Sequence, residues 1–292
     1  MTFGKVRVFY NKKAGAGFSF RRVQDAFAVH WKQTADDLAW YFPSSPGESF
    51  KMVDAAIADG VECIVVCGGD GTVSSIGTRL IGSGICLGVV PIGSGQSMNC
   101  SEAIAQLARG AIRELDVGYV NDRPFLVSAS AAWDAAMVKA YNQSPIRGVG
   151  TYVLAGVYSF FDYTPKPVRI VIDNAETLDI DRPILLTIGN LSGWGGGALI
   201  DKDASGCDGR LELVAARKQD APLLLANLAE VFDRGLINLP NVIFRHFKTL
   251  RIDRAEAQPI QLDGELHDAP KTLEVNVQKG QLKVLVPSGP RA

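Results

Sequence analysis

The sequence has almost no net charge, few histidines, no paired cysteine motif and no long apolar run, and each shortage removes a class of function. Thirty Lys and Arg stand against 31 Asp and Glu, a net charge of −1, so there is no basic excess to line a nucleic-acid groove. No apolar segment approaches the roughly 18 residues of a membrane-spanning helix. The richest, residues 221–232, contains Asn227 and Glu230. The first residues, with Lys5 and Arg7 inside an alternating run, lack the apolar centre of a signal peptide. A soluble chain that stays in the cytoplasm is expected. The 5 cysteines are odd in number and form no CxxC pair, which argues against disulfides and against a thiolate zinc site. The 3 histidines, His30, His246 and His267, are too scattered for a metal cluster. A GxxxxGK[ST] loop, a GxSxG elbow and an HExxH helix are all absent, so P-loop enzymes and those hydrolase classes gain no support.

What is present is an ordinary globular balance, 47% hydrophobic and 21% charged over 292 residues, about twice the usual single-domain length. Up to about residue 117 the pattern alternates. Strand-like runs at 6–10, 39–42, 61–67 and 85–90 are separated by helical periodicity at 18–31, 48–59, 73–81 and 101–109. Strands that are continuously apolar, separated by amphipathic helices, predict an α/β domain: a parallel sheet with helices on both faces. From 118 to 292 short β-like segments dominate, at 123–129, 168–172, 184–189, 210–215, 249–252, 272–277 and 282–286. They are punctuated by Asp173-Asn174, Asp208-Gly209 and Lys279-Gly280. This predicts a mainly antiparallel β-sandwich domain with helices near 133–141, 149–161 and 220–234. The last strand is one that could return to the first domain.

Ligands of open α/β sheets sit at the carboxyl ends of the strands, and three Gly-rich turns fall there: 11–17, 68–72 and 91–95. Gly68-Gly69-Asp70-Gly71-Thr72 is the most informative. Glycines allow a sharp turn with amides facing a phosphate, and the following helix adds its positive end. Asp70 suits an anion site only with Mg²⁺, or a water bound to it, in between. Asn11, Lys12, Lys13 and Gly15 form a basic turn that reads either as a phosphate contact or as a solvated loop. Gly15-Ala16-Gly17 begins a dinucleotide fingerprint whose third glycine is missing. Near the other end, Asp263-Gly264-Glu265 reads locally as a type I′ hairpin turn. Its carboxylates are also candidates for the base that a hydroxyl nucleophile needs.

Taken in order, Asn11-Lys12-Lys13-Ala14-Gly15, Gly68-Gly69-Asp70-Gly71-Thr72, Pro91-Ile92-Gly93-Ser94-Gly95, Asp208-Gly209-Arg210-Leu211 and Asp263-Gly264-Glu265 make the chain resemble the diacylglycerol-kinase-like lipid kinases. That group includes bacterial lipid kinases and, more distantly, sphingosine and ceramide kinases. The resemblance covers nearly the whole chain, and the GGDGT run is shared with NAD kinases and phosphofructokinases. It implies an amino-terminal nucleotide domain, a β-sandwich for the lipid, and ATP with Mg²⁺ as cofactors. It assigns Gly68, Gly69, Asp70, Gly71, Thr72, Gly93 and Ser94 to the ATP phosphates, with Asn11 and Gly15 nearby and Ser44 or Ser45 as a hydroxyl contact. Asp263 with Glu265 would be the catalytic base, Asp70 would serve the Mg²⁺ at the phosphates, and Asp208 matches a structural Mg²⁺ position of some bacterial members. The chain departs from the family pattern at Ser75, where a Glu is usual, and at Gln96 and Ser97, where Asn and Asp are usual.

The expected activity is transfer of the γ-phosphate of ATP to a hydroxyl of a diacylglycerol- or sphingoid-like lipid. The expected partners are that lipid, a transient membrane surface and a second copy of the chain, with no nucleic acid. Alternatives are a nucleotide-binding sensor of the same fold with weak or lost transfer, an NAD kinase, and, more remotely, a hydride-transferring oxidoreductase. The second signature of NAD kinases, an Asn-Thr-Asp-Gly-type run followed by Gly-Ser-Thr, is missing.

Overall fold

The structure, a computed structural model, describes residues 2–12, 19–32, 34–92, 100–143, 159–160, 163–195 and 197–288. The chain divides into two compact units, one of residues 1–115 with 280–292 and the other of residues 116–279.

The first unit is built from β1 (Phe3–Tyr10), α1 (Phe20–His30), β2 (Ala35–Tyr41), α2 (Pro46–Ala58), β3 (Cys63–Gly68), α3 (Asp70–Arg79), β4 (Cys86–Pro91) and α4 (Cys100–Ala108). Its strands run β2-β1-β3-β4, and the end of the last strand of the chain then joins β4. All of these pairs are parallel. β3 is buried at every position, as a strand covered on both faces must be. Val6, Val8, Tyr10, Cys63, Val65 and Cys67 share one core with Val23 and Phe27 of α1 and Ile104 and Leu107 of α4. Residues of the other parity, Ile64, Val66 and Leu87, are buried as well. α1 buries Val23, Ala26 and Phe27, the i, i+3, i+4 stripe, and the indole N–H of Trp31 ties it to the carbonyl of Ile104 at 3.1 Å. α2 starts where Ser45 caps the amide of Glu48 and Pro46 takes the first turn.

The second unit contains β6 (Arg123–Phe125), β7 (Ser128–Ser130), α5 (Trp133–Gln143), β8 (Val168–Ile172), β9 (Glu176–Ile180), β10 (Pro183–Gly189), β11 (Gly193–Gly195), β12 (Ala198–Leu199), β13 (Leu211–Arg217), β14 (Ile243–Phe247), β15 (Thr249–Arg254), β16 (Ile260–Leu262) and β17 (Glu265–His267). Two strands, β5 (Ala111–Val120) and β18 (Thr272–Val286), pass from one unit into the other. Within this unit the first half of β18 pairs with β15, β15 with β8, and β8 with β9, all antiparallel. A separate antiparallel sheet runs β14-β13-β10-β7-β16-β17. Leu186, Ile188 and Leu213 of one sheet meet Ile170, Ile252 and Leu273 of the other in a single core, which makes the unit a sandwich.

Two expectations change, and a third falls largely outside the described residues. Lys279-Gly280 is no turn: β18 is continuous through Gly280, whose φ of +62° is open to glycine. The expected helix at 220–234 is broken, with an α-turn at Ala221–Ala226 capped by Asn227 and a 3₁₀ segment at Leu228–Phe232. Most of the expected helix at 149–161 lies outside the described residues. Strands β9 and β14 had no counterpart in the sequence reading, because both are half-exposed and mixed in polarity.

Candidate active site

On the first unit the parallel register brings the ends of β1, β3 and β4 to one edge, with Tyr10 beside Cys67 and Gly68 beside Pro91. Gly68 ends β3 and Gly69 is the N-cap of α3. A Cβ on Gly68 would sit 3.0 Å from Cβ of Thr72, so this glycine is required by the turn itself. Gly69 and Gly71 differ: among the described residues nothing lies within 4 Å of the position a Cβ would take. Their bareness serves no packing among the described residues and leaves backbone open to an outside group. The amides of Thr72 and Val73 bond the carbonyl of Gly69 at 3.0 and 3.1 Å. Those of Asp70 and Gly71, ahead of them at the positive helix end, have no acceptor among the described residues. Asn11, held by its amide to the carbonyl of Cys67 at 3.0 Å, donates its Nδ2 to the hydroxyl of Thr72 at 2.8 Å. That bond leaves the Thr72 hydrogen to be donated in turn. Asp70 is exposed in the first turn of α3. Lys12 places its ammonium 4.8 Å from the centre of the Phe42 ring.

Ser44 is engaged locally. Its hydroxyl and its amide both donate to Oε2 of Glu48, at 2.5 and 2.7 Å, and these bonds hold the Glu48 carboxyl below its ordinary range. Ser44, expected as a hydroxyl contact after the second strand, builds the start of α2. Gly15, Gly93 and Ser94, with Gln96 and Ser97, lie outside the described residues.

On the second unit, Asp263-Gly264 forms the turn between β16 and β17. With φ of +47° and +87° and Leu262 paired to Glu265, it is the type I′ hairpin the local pattern predicts. The Asp263 carboxylate reaches back to the segment between β6 and β7. It accepts the amides of Leu126 at 2.8 Å, Val127 at 2.8 Å and Ser128 at 3.1 Å, while the Asp263 amide donates to the carbonyl of Ser128 at 2.9 Å. Asp263 thus clamps two segments, and Glu265 beside it is exposed.

Asp208 accepts the amide of Arg210 at 2.9 Å and is exposed. The next residue, Gly209, takes φ +74° and donates its amide to Asp116 at 2.6 Å. Asp116 is buried, and its carbonyl receives the side-chain amide of Asn190 at 2.8 Å. Glu212 is 1% exposed, and its Oε2 has no hydrogen-bond partner among the described residues. Burial, and then the charges of Asp208 and Asp201, push its carboxyl up to about 8. Among the described residues no three His, Cys, Asp or Glu stand close enough to hold a metal by themselves. Sequence reasoning missed Asp116, Asn190 and Glu212. The available signal was an acid or amide inside an apolar strand run, which has to be explained once that run is buried.

The model of the diacylglycerol kinase catalytic domain matches residues 5–120. That of the YegS C-terminal NAD kinase β-sandwich-like domain matches residues 127–286, more than half of the chain. A diacylglycerol kinase of Mycobacterium tuberculosis is 26% identical over 299 residues, with 97% of this chain and 96% of the relative covered. A probable lipid kinase YegS-like protein of Chromohalobacter salexigens is 28% identical over 239 residues, covering 75% and 74%. The crystal structure of a diacylglycerol kinase from Bacillus anthracis superposes with a TM-score of 0.78 at 18% identity, covering 99% of this chain and 98% of that one, and shows the same fold. With a GGDGT turn at the head of a helix in one unit and an Asp-Gly-Glu hairpin in a β-sandwich in the other, the chain belongs to the diacylglycerol-kinase-like family of lipid kinases.

Proposed function

We propose that the chain transfers the γ-phosphate of ATP, with Mg²⁺, to a hydroxyl of a diacylglycerol- or sphingoid-like lipid. The carrying observation is the bare backbone of Gly69 and Gly71 at the head of α3, with the Thr72 hydroxyl oriented by Asn11. Amides at a helix start together with a hydroxyl make a receptor for phosphate oxygens. Gly68 gives the turn its closeness, and Gly93, Ser94 and Gly15 are assigned to the same phosphates on family grounds. Asp70 is the carboxylate proposed to face the Mg²⁺ of the nucleotide, and Asp208 is proposed for a separate structural Mg²⁺. A cation that keeps most of its waters suits a single exposed carboxylate. Bound with the nucleotide, Mg²⁺ neutralises phosphate charge.

In the transfer, the lipid hydroxyl oxygen bonds to the γ-phosphorus as the bond from that phosphorus to the bridging oxygen breaks. ADP leaves, and the hydroxyl proton passes to the Asp-Gly-Glu turn. Glu265 is the exposed acceptor. Asp263 fixes the turn through the three amides it accepts and is the second candidate. Leu223 and Leu225 of the first short helical segment and Phe232 at the end of the next are exposed and support a transient contact with the membrane that carries the substrate.

The test is transfer of labelled γ-phosphate from Mg-ATP into diacylglycerol or sphingosine in mixed micelles, with Asp70→Ala and Glu265→Gln alongside. Organic-phase label that falls at least a hundredfold in both variants supports the reading. ATP binding without any labelled lipid overturns it in favour of the nucleotide-binding sensor, which Ser75 on α3 favours.

A further inference from the structure

Asn190 directly follows β10 and is 0% exposed. Its Nδ2 spends both hydrogens on backbone carbonyls, that of Asp116 on β5 and that of Leu126 ahead of β7, each at 2.8 Å. Its own backbone amide donates to the carbonyl of Val127 at 2.9 Å, and the amide of Leu191 reaches the same oxygen at 3.3 Å. The Oδ1 atom is buried and has no hydrogen-bond partner among the described residues. The far end of this bridge is itself fixed, since Asp116 is buried and its Oδ2 accepts the amide of Gly209 at 2.6 Å. All of these residues belong to the unit of residues 116–279.

The amides of Leu126, Val127 and Ser128 are the three that the Asp263 carboxylate accepts. Asn190 therefore grips through its carbonyls the same short segment that Asp263 grips through its amides. A buried amide oxygen without a donor costs free energy, which offsets part of what the two Nδ2 bonds contribute to stability. Their geometric effect has no such offset: a planar amide with both hydrogens engaged sets where the two carbonyls lie relative to each other. We infer that Asn190 is a positioning residue for the proposed transfer. It ties residues 126–128 to β5, and through the bonds of that segment to Asp263 it sets where the Asp-Gly-Glu turn presents Glu265. The inference rests on the reading of that turn as the proton acceptor. A displacement of about 1 Å can cost about 10²-fold in rate, so the bridge has to move the turn very little to matter.

The test uses the whole chain with Asn190→Leu, which keeps the shape of the side chain and removes both donors. Ile252→Val, a small loss in the same core but on β15 of the other sheet, is the control. Amide hydrogen exchange at residues 126–128 should quicken about tenfold or more in Asn190→Leu while β8 and β15 keep wild-type rates. Unchanged exchange at 126–128 overturns the inference. Transfer of labelled γ-phosphate from Mg-ATP to diacylglycerol in mixed micelles is then measured where circular dichroism shows each protein fully folded. In Asn190→Leu kcat should fall about tenfold to a hundredfold, with KM for ATP within about twofold of wild type and Ile252→Val unaffected. A merely structural role leaves kcat at the wild-type value once the chain is folded, and that result, or an equal fall in Ile252→Val, overturns the inference. If Asn190→Leu does not fold, Asn190→Ser serves: both changes are expected in the same direction, and a wild-type value of either overturns the inference. A wild type that labels no lipid defeats the transfer reading. Exchange at 126–128 then decides by itself whether Asn190 fixes the turn, unchanged rates overturning that as well.

Discussion

Asp263 and Glu265 are two residues apart, and the different work proposed for them gives them opposite mutational signatures. Replacing Asp263 by Ala strips the acceptor from the amides of Leu126, Val127 and Ser128. Partly buried donors left unpaired should cost about 3 kcal/mol, read as a lower urea midpoint, and activity should fall with the fold. Glu265→Gln should stay within about 0.5 kcal/mol of wild type while kcat drops between about 10² and 10⁴. Glu212 provides a pH signature. Its folded carboxyl titrates near 8 against about 4.3 in an unfolded chain, so the folded state holds the extra proton in between. Stability is full below the unfolded value and is lost as pH rises toward the folded one. Asp134, raised by burial to about 6, has the same sign over a lower window. Unfolding midpoints should therefore decline from pH 5 to pH 9, and Glu212→Gln should remove most of the decline above pH 6.

At the scale of elements, the turn at the head of α3 trades stability for exposed backbone. Gly71 lies in the helix with open space around it, so Gly71→Ala should stabilise the chain by about 0.5–1 kcal/mol. The same methyl occupies the backbone offered to phosphate, and ATP affinity, measured calorimetrically, should fall at least tenfold. Gly68→Ala should destabilise instead, against the Thr72 side chain. Asn11→Ala should weaken ATP binding about threefold to tenfold, the worth of one oriented hydrogen bond. The parallel strands and this turn were legible in the sequence because β3 is an unbroken apolar run that ends in GGDGT. The Asp263-Gly264 hairpin was legible too. Its clamp was not, because the amides it holds come from residues 135–137 positions earlier and no local pattern announces them. β18 was misread for a related reason: Gly280 has the signature of a turn, and only the partners on either side keep the strand running.

For the whole molecule, Leu223, Leu225 and Phe232 are 41%, 53% and 57% exposed, and no helix among the described residues is long and apolar enough to cross a bilayer. Changing all three to Ser should reduce flotation with diacylglycerol-containing vesicles and raise the apparent KM for vesicle-borne substrate. Turnover in detergent micelles should stay within about twofold, since the three take no part in binding phosphate. The division of the chain also has a temporal consequence. Residues 280–292 belong with the unit that begins at residue 1, and β4 gains its neighbour only when Lys283 and Val284 are in place. During synthesis, at about 5–20 residues per second, residues 116–279 are made before the parallel sheet can close its last ladder. The half made first is finished last, and a released chain truncated after residue 279 should show a protease-resistant sandwich beside a first unit that is readily cut.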